Sequence, residues 1–245
     1  KMIEEEKLDC HYIITNEAGA SVYSASKLAI DELPDLDVTI RGAVSIARRV
    51  QDPLAESVKI DPKSIGVGQY QHDVNQKQLT HTLDQVVESV VNHVGVELNT
   101  ASPAILQHIA GISGTVAKNI VAFRQENGGF TSRKQLLKVP RLGPAAFTQC
   151  AGFLRLNGAK NPLDNTSVHP ESYELAERII GELGFTLKDL QDKSQLEALQ
   201  VKLPLVDVDK MAHKLDAGVP TVRDIIAALA KPGRDPREAL PAHLT

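Results

Sequence analysis

The chain has 245 residues, enough for two or three small domains. Its composition, 42% hydrophobic and 24% charged, is that of an ordinary globular protein, and no apolar run approaches the roughly 20 residues that span a bilayer, so broad disorder and a membrane helix are both excluded. Cys10 and Cys150 stand far apart without a CxxC spacing, so neither a disulfide framework nor a zinc site is expected, and a reducing cytoplasm fits best.

The formal net charge of -4 hides a strong polarity along the chain. Between Thr100 and Lys160, eight basic residues (Lys118, Arg124, Arg133, Lys134, Lys138, Arg141, Arg155 and Lys160) stand against one acid, Glu126. A basic island in an acidic chain is the footprint of a surface that binds a polyanion, because neutralising phosphates releases their condensed counterions. A solvated basic face that binds nothing leaves the same trace, so charge alone does not decide.

In chain order, Lys1 to Leu8 reads as the charged tail of an amphipathic helix and carries no apolar signal segment. The run Tyr12-Ile13-Ile14-Thr15 predicts one buried strand, whose sheet partners are expected outside this chain because a lone strand leaves its edges unpaired. Helices are predicted over Ser21 to Leu33 and Ala43 to Val50, punctuated by Pro34 and Pro53. A loop at Asp61-Pro62 and Gly66-Val67-Gly68 then leads to a helix capped by Asn75. In that helix Leu79, Leu83, Val86, Val87, Val90, Val91 and Val94 form a stripe of period 3.6, the mark of a half-buried spine, with Gly95 as its stop. From Asn161 to about Lys231, starts at His169-Pro170, Thr186 with Asp189, Ser194 with Glu197, Asp207 and Thr221 with Asp224 predict a compact helical module. Pro232-Gly233 and the polar residues after it read as a linker.

The informative stretch lies between. Ile109-Ala110-Gly111-Ile112-Ser113-Gly114 follows a short apolar helix, Ala104 to His108, and opens another. A tight glycine hairpin between two helices aims backbone N-H groups and a positive helix end at one point, where a phosphate oxygen would sit. Gly111 permits the turn, Ile112 plugs it into the core, and Gly114 keeps the approach free of a Cβ, with Lys118 one turn further on. About 30 residues later Val139-Pro140-Arg141-Leu142-Gly143-Pro144 repeats the pattern, with Pro144 at the first helical position. Between the copies, Asn127-Gly128-Gly129 ends one helix and Thr131 begins the next, whose Leu136 and Leu137 are expected to face the core. Two such hairpins contact phosphates on both sides of a groove and read few bases, so sequence-independent binding is expected.

Three blocks, Asn16 to Ser26, Arg41 to Arg49 and Ile60 to Val74, carry a resemblance over nearly the whole chain: they look like the bacterial Tex family of transcription accessory proteins. The resemblance implies a middle portion: 1-60 the end of a YqgF-type RNase H-like domain, 61-100 a loop and long helix, 101-158 a tandem helix-hairpin-helix domain, 159-232 a small all-helical domain, and 233-245 a linker toward an OB-fold outside this chain. The expected fold is therefore mainly α, with the hairpin domain flanked by an RNase H-like remnant and a helical module. Family hairpins typically read Pro-Gly-hydrophobic-Gly; here Ser113 replaces the second glycine of the first copy and Arg141 the first glycine of the second. Ser113 still offers its N-H and a hydroxyl, and Arg141 brings a guanidinium fork suited to phosphate.

The expected partner is a DNA or RNA backbone, contacted by Gly111, Ile112, Ser113, Gly114, Lys118, Arg133, Lys134, Lys138, Arg141, Leu142 and Gly143. The protein is expected to be a monomer, with no membrane association. No catalytic residue, metal or cofactor is expected. RNase H-like enzymes hold two metal ions with clustered carboxylates, whereas Glu17 is the one acid here in a comparable place and is expected to cap or orient its turn. Gly66-Val67-Gly68 lacks a dinucleotide-loop register, the histidines have no ligand spacing, and the absence of Trp disfavours a stacking platform. The competing expectation is a scaffold that binds transcription-machinery proteins, with the hairpins purely structural.

Overall fold

The computed structural model describes residues 13–230, which divide into two compact units meeting in sequence at Thr80 and His81. The charged start, the proposed linker and Tyr12 lie outside the described residues.

In the first unit, helices start where side chains cap them. Ser26 accepts the Ala29 N-H before α2 (Lys27–Glu32), and Asp37 accepts those of Thr39 and Ile40 before α3 (Val38–Gln51). Asp52 and Asp61 do the same for two short helices that carry proline at the first position, α4 (Pro53–Ser57) and α5 (Pro62–Ile65). The turn before α1 (Ala20–Ser24) is tied by Asn16, whose Oδ1 accepts the Ala18 N-H at 2.7 Å, so Asn16 does the work expected of Glu17. The strand expected at Ile13 to Thr15 does not form: no neighbouring strand lies beside it among the described residues, and Ile14 is 91% exposed. The interior of this unit is partly ionic. Lys59 lies between Glu32 at 3.0 Å and Glu56 at 2.6 Å, while Tyr23 donates to Glu32 and Ser45 to Glu56. These bonds satisfy groups that would be costly to bury alone.

The helix α6 (Gln76–Val94) begins at Asn75, whose Oδ1 accepts the N-H groups of Lys77 and Gln78, and ends at Gly95 in a left-handed turn, as the sequence suggests. Its apolar stripe is less covered than expected: Val91 is buried, whereas Val86 and Val90 are exposed.

In the second unit, β1 (Val96–Glu97) pairs in parallel with β2 (Leu154–Arg155), Val96 opposite Leu154, and so closes the hairpin domain end to end. Between these strands run α7 (Pro103–Leu106), α8 (Gly114–Asn127), a 3-10 turn (Arg133–Lys138) and α9 (Pro144–Cys150). Ile105, Leu106, Ile109, Ile120, Leu136 and Leu154 are fully buried here. The 3-10 turn is capped by Ser132, not Thr131, through a reciprocal bond with Gln135.

The module that follows contains α10 (Tyr173–Glu182), α11 (Lys193–Lys202), α12 (Val208–Leu215) and α13 (Val219–Leu229) around Ala176, Ile179, Ile180, Leu199, Val222 and Leu229. Thr186 and Asp189 form the expected capping box and Asp207 the expected cap. Two starts differ: α11 is capped by Asp192 rather than Ser194, and α13 begins after Gly218 rather than at Thr221.

Candidate nucleic-acid interface

The two hairpins are copies in their backbone bonds. The Ile109 N-H donates to the Leu106 carbonyl at 3.0 Å and the Val139 N-H to that of Leu136 at 2.9 Å. Ile112 to Ile109 at 3.0 Å is matched by Leu142 to Val139 at 3.1 Å, and Ala117 to Ser113 at 2.8 Å by Phe147 to Gly143 at 2.9 Å. Each pair is offset by 30 residues. Gly111 and Arg141 occupy the same left-handed position, φ 81° and 66°. Ile112 and Leu142 are the buried plugs, and Ser113 and Gly143 are the extended residues from which α8 and α9 start.

The copies also hold each other. A Cβ on Gly111 would stand 2.8 Å from Gln149 Cβ and 3.2 Å from the Ala146 carbonyl oxygen, so glycine is required both by the turn and by close packing on α9. In return, Asn119 on α8 donates from Nδ2 to the Pro140 carbonyl at 2.8 Å. Asn119 and Gln149 are themselves equivalent under the same offset, so the side chain that bonds Pro140 and the one that lies against Gly111 stand at matching places in the two second helices.

What faces outward is a set of amides. The N-H groups of Ser113, Gly114 and Thr115 in the first copy, and of Gly143, Ala145 and Ala146 in the second, have no acceptor among the described residues. Ser113 spends its hydroxyl on the Val116 N-H at 3.3 Å, whereas Gly143 has no side chain to cap with. Convergent free amides at a helix start favour an anion by dipole and by hydrogen bonding. Lys118, Lys134, Lys138 and Arg141, on or next to the hairpins in sequence, are exposed. Ile112 and Leu142 point inward, so their part is to seat the loops.

Arg133 is not part of this surface, contrary to the sequence expectation. It is 0% exposed, and its guanidinium donates to the carbonyls of Leu154 at 2.7 Å, Val168 at 2.9 Å and Thr166, and to the Tyr173 hydroxyl at 2.9 Å. Asp164 accepts both the Arg133 backbone N-H and the Tyr173 hydroxyl. Burial and the neighbouring carboxylate push the Tyr173 phenol up, against the pull of the Arg133 charge. Arg124, held on the Leu98 and Ala101 carbonyls, and Arg155, lowered to about 10 by burial and by Arg133, are structural in the same way. Three of the eight basic residues counted in the sequence therefore stitch loops together and leave five on the surface. Leu137 is a second correction: it is 47% exposed, because the 3-10 turn puts Arg133, Leu136 and Val139 on the inner face.

The order of left-handed residue, apolar residue and helix start recurs at Gly184-Phe185-Thr186 and Asp216-Ala217-Gly218, which the sequence reading missed because neither has glycines around a large apolar residue. Each carries its own carboxylate. Asp189 accepts both the Thr186 N-H and its hydroxyl, and Asp216 itself holds the left-handed position. A phosphate meets internal competition at these two.

Glu17 is exposed, and among the described residues no three His, Cys, Asp or Glu side chains are grouped to hold a metal ion. No helix among them is long and apolar enough to cross a membrane.

Comparison with known sequence families matches the Tex protein YqgF-like domain to residues 1–51, the helix-hairpin-helix motif to residues 91–155 and an HHH domain to residues 161–237. Protein YhgF of Escherichia coli strain K12 is 60% identical over 232 residues, 94% of this chain and 29% of that protein. Transcriptional accessory protein Tex of Neisseria gonorrhoeae is 57% identical over 229 residues, with 94% and 29% covered. S1 RNA-binding domain-containing protein 1 of Homo sapiens is 42% identical over 273 residues, with 92% and 27% covered. The chain thus spans about 30% of the length of the curated bacterial relatives it matches. With a YqgF-like match ahead of two helix-hairpin-helix domains, and this identity running across all three, the chain belongs to the Tex family as a segment of it.

Proposed function

We propose that this segment binds nucleic acid without catalysis and without sequence preference, gripping backbone phosphates at the two hairpins as part of a transcription accessory protein of the bacterial cytoplasm. The observation that carries the reading is the pair of free amide sets, Ser113 to Thr115 and Gly143 to Ala146, held in one repeated frame. Two sites related by a repeat suit two strands better than one, so each hairpin takes phosphates from one strand of a duplex. Lys118 strengthens the first site and Arg141 the second, with Lys134 and Lys138 adding longer-range attraction. Contacts to phosphate carry no base code, so affinity in this reading comes from backbone and charge.

Contacts to about two to four phosphates give a slope of roughly -2 to -4 when log affinity is plotted against log salt. The test is anisotropy of a labelled duplex across a salt series, for the parent chain and for Lys118→Glu with Arg141→Glu. Loss of affinity with a shallower slope is expected; unchanged affinity and slope would remove the hairpins as the site.

A second reading, a scaffold for transcription-machinery proteins, draws support from Val201 and Leu205, large apolar side chains left 70% and 80% exposed on the helical module. Capture of partner proteins that survives nuclease treatment, and is lost with Val201→Ser and Leu205→Ser, is its signature.

A further inference from the structure

The helical module holds a groove of about 420 Å³, set between the ends of α10 and α11, the turn Leu203–Leu205 and α12. Its apolar lining is Leu183, Leu205, Val206 and Met211. Leu183, Val206 and Met211 pack against the buried core of the module, which fixes their places. Leu205 does not: it follows Pro204 in a short 3-10 turn and stays exposed, while Leu203 in the same turn is buried. The charged lining sets Lys202, Lys210 and Lys214 against Glu182 and Asp207, and both acids are already committed. Glu182 accepts from the Lys214 ammonium. Asp207 accepts the Lys210 backbone N-H at 3.1 Å with one oxygen and faces the Lys210 ammonium at 3.3 Å with the other. Lys202 donates to the Leu183 carbonyl at 3.2 Å and lies 4.7 Å over the Phe185 ring, two neutral partners that leave its charge uncancelled.

We propose that this groove docks a short acidic segment of a partner protein, which seats one large apolar side chain against Leu183, Leu205, Val206 and Met211 and sets carboxylates against Lys202, Lys210 and Lys214. The inference rests on the scaffold reading, to which it gives a place and a partner chemistry, and it does not involve the hairpins. The groove has the volume of pockets that enclose a small ligand or a single anchoring side chain. Its lining favours a peptide over a nucleic acid. A sugar-phosphate chain has no aliphatic branch to fill an apolar floor, and among the described residues no aromatic ring lines the groove for a base to stack on. Its charges favour an acidic peptide over a basic one. An incoming cation meets three ammoniums and two occupied carboxylates, whereas an incoming carboxylate finds Lys202 without an acid of the groove as partner. It also finds Lys210, whose side chain is 87% exposed and whose surface pair with Asp207 is weak enough to exchange. Met211, unbranched and adaptable, lets the floor close on side chains of different shape.

The experiment reads the anisotropy of short fluorescein-labelled peptides added to the whole chain after nuclease treatment. One peptide carries a single leucine among glutamates, a second has serine in place of the leucine, and a third has lysines in place of the glutamates. The chain is expected to bind the first about tenfold more tightly than either control. Leu205→Ser, a change at an exposed position, should weaken the first peptide about fivefold to tenfold, the value of covering most of a leucine side chain. Lys210→Glu should weaken it about threefold to fivefold and flatten its salt dependence. Neither change should alter affinity for a labelled duplex. Equal binding of the three peptides, or no binding of the first, would overturn the proposal. So would displacement of the peptide by unlabelled duplex, which would make the groove part of the nucleic-acid surface, and self-association that Leu205→Ser abolishes, which would make a second copy the occupant. Nuclease-resistant capture of partner proteins that survives Leu205→Ser keeps the scaffold reading and overturns the groove. Peptide binding in the expected pattern without any such capture keeps the groove and removes the scaffold reading.

Discussion

Replacing Arg141 by glycine and by alanine separates the backbone cost of that residue from the contribution of its side chain. At φ 66° an L-residue crowds its Cβ against the following carbonyl. Glycine escapes that crowding, and the benefit at a left-handed position is about 1 kcal/mol after its greater freedom in the unfolded chain is allowed for. Both variants lose the guanidinium equally, so Arg141→Gly should be more stable than Arg141→Ala by about 1 kcal/mol, read as a shift of the urea midpoint at constant slope. The equivalent change in the first hairpin is harsher. Gly111→Ala meets the same φ restriction and also drives a Cβ to 2.8 Å from Gln149 Cβ, where only a shift of α9 makes room. Strain and overpacking together should cost about 2 to 4 kcal/mol. Both Arg141 variants should flatten the salt dependence of duplex binding by about 0.9, one phosphate contact. Equal stability of Arg141→Gly and Arg141→Ala would refute the left-handed assignment, whatever happened to binding.

Three further outcomes follow from the same geometry. Arg133→Met should destabilise the second unit by about 3 to 5 kcal/mol in urea, because several buried carbonyls lose their donor at once, and Arg133→Lys should not restore it, since one ammonium cannot span them. Asn119→Ala should cost about 1 kcal/mol and weaken duplex binding with the salt slope unchanged, because it frees the Pro140 carbonyl and loosens the second hairpin without altering charge. Between pH 7 and 5 stability should fall, and His108→Gln should flatten that fall. Burial holds the His108 imidazole below its ordinary value of 6.5, partly opposed by Asp84 and Glu88, so the unfolded chain takes up the proton first and acid favours unfolding. Urea midpoints across that pH range provide the check.

How much of this was legible in the residues depends on whether a feature is local. The hairpins were, because a left-handed turn, a buried plug and a helix start lie within four consecutive residues and leave a compositional trace at Gly111 to Gly114 and Arg141 to Pro144. Asn75, Asp207 and the Thr186-Asp189 box were legible for the same reason: each is a side chain bonding its own neighbours. Arg133 was not. Its fate depends on carbonyls between 21 and 35 residues away, and a buried arginine counts the same as a surface one in any tally of charge. Leu137 was misplaced because the segment is a 3-10 turn: with three residues per turn, its inner row takes Arg133 and Leu136 and leaves the neighbouring leucine outside. The pairing of β1 with β2 joins two-residue segments, too short to show any alternation. At the chain's start the apolar, branched residues Ile13 to Thr15 suggested a strand, but propensity alone makes no ladder without a neighbour.

The Arg133 guanidinium also bears on how such proteins are inherited and recombined. The helix-hairpin-helix match stops at residue 155 and the next domain match starts at 161, which invites a cut between them. Yet the cation on one side of that cut serves as the ceiling for the loop on the other, where the oxygens of Thr166 and Val168 have it as their donor. An exchange of modules between relatives at this seam would carry a headless loop to one descendant and a stranded charge to the other unless residue 133 and its receiving loop travelled as a matched set. The physical module is therefore longer than either sequence match, and its true border is drawn by a side chain.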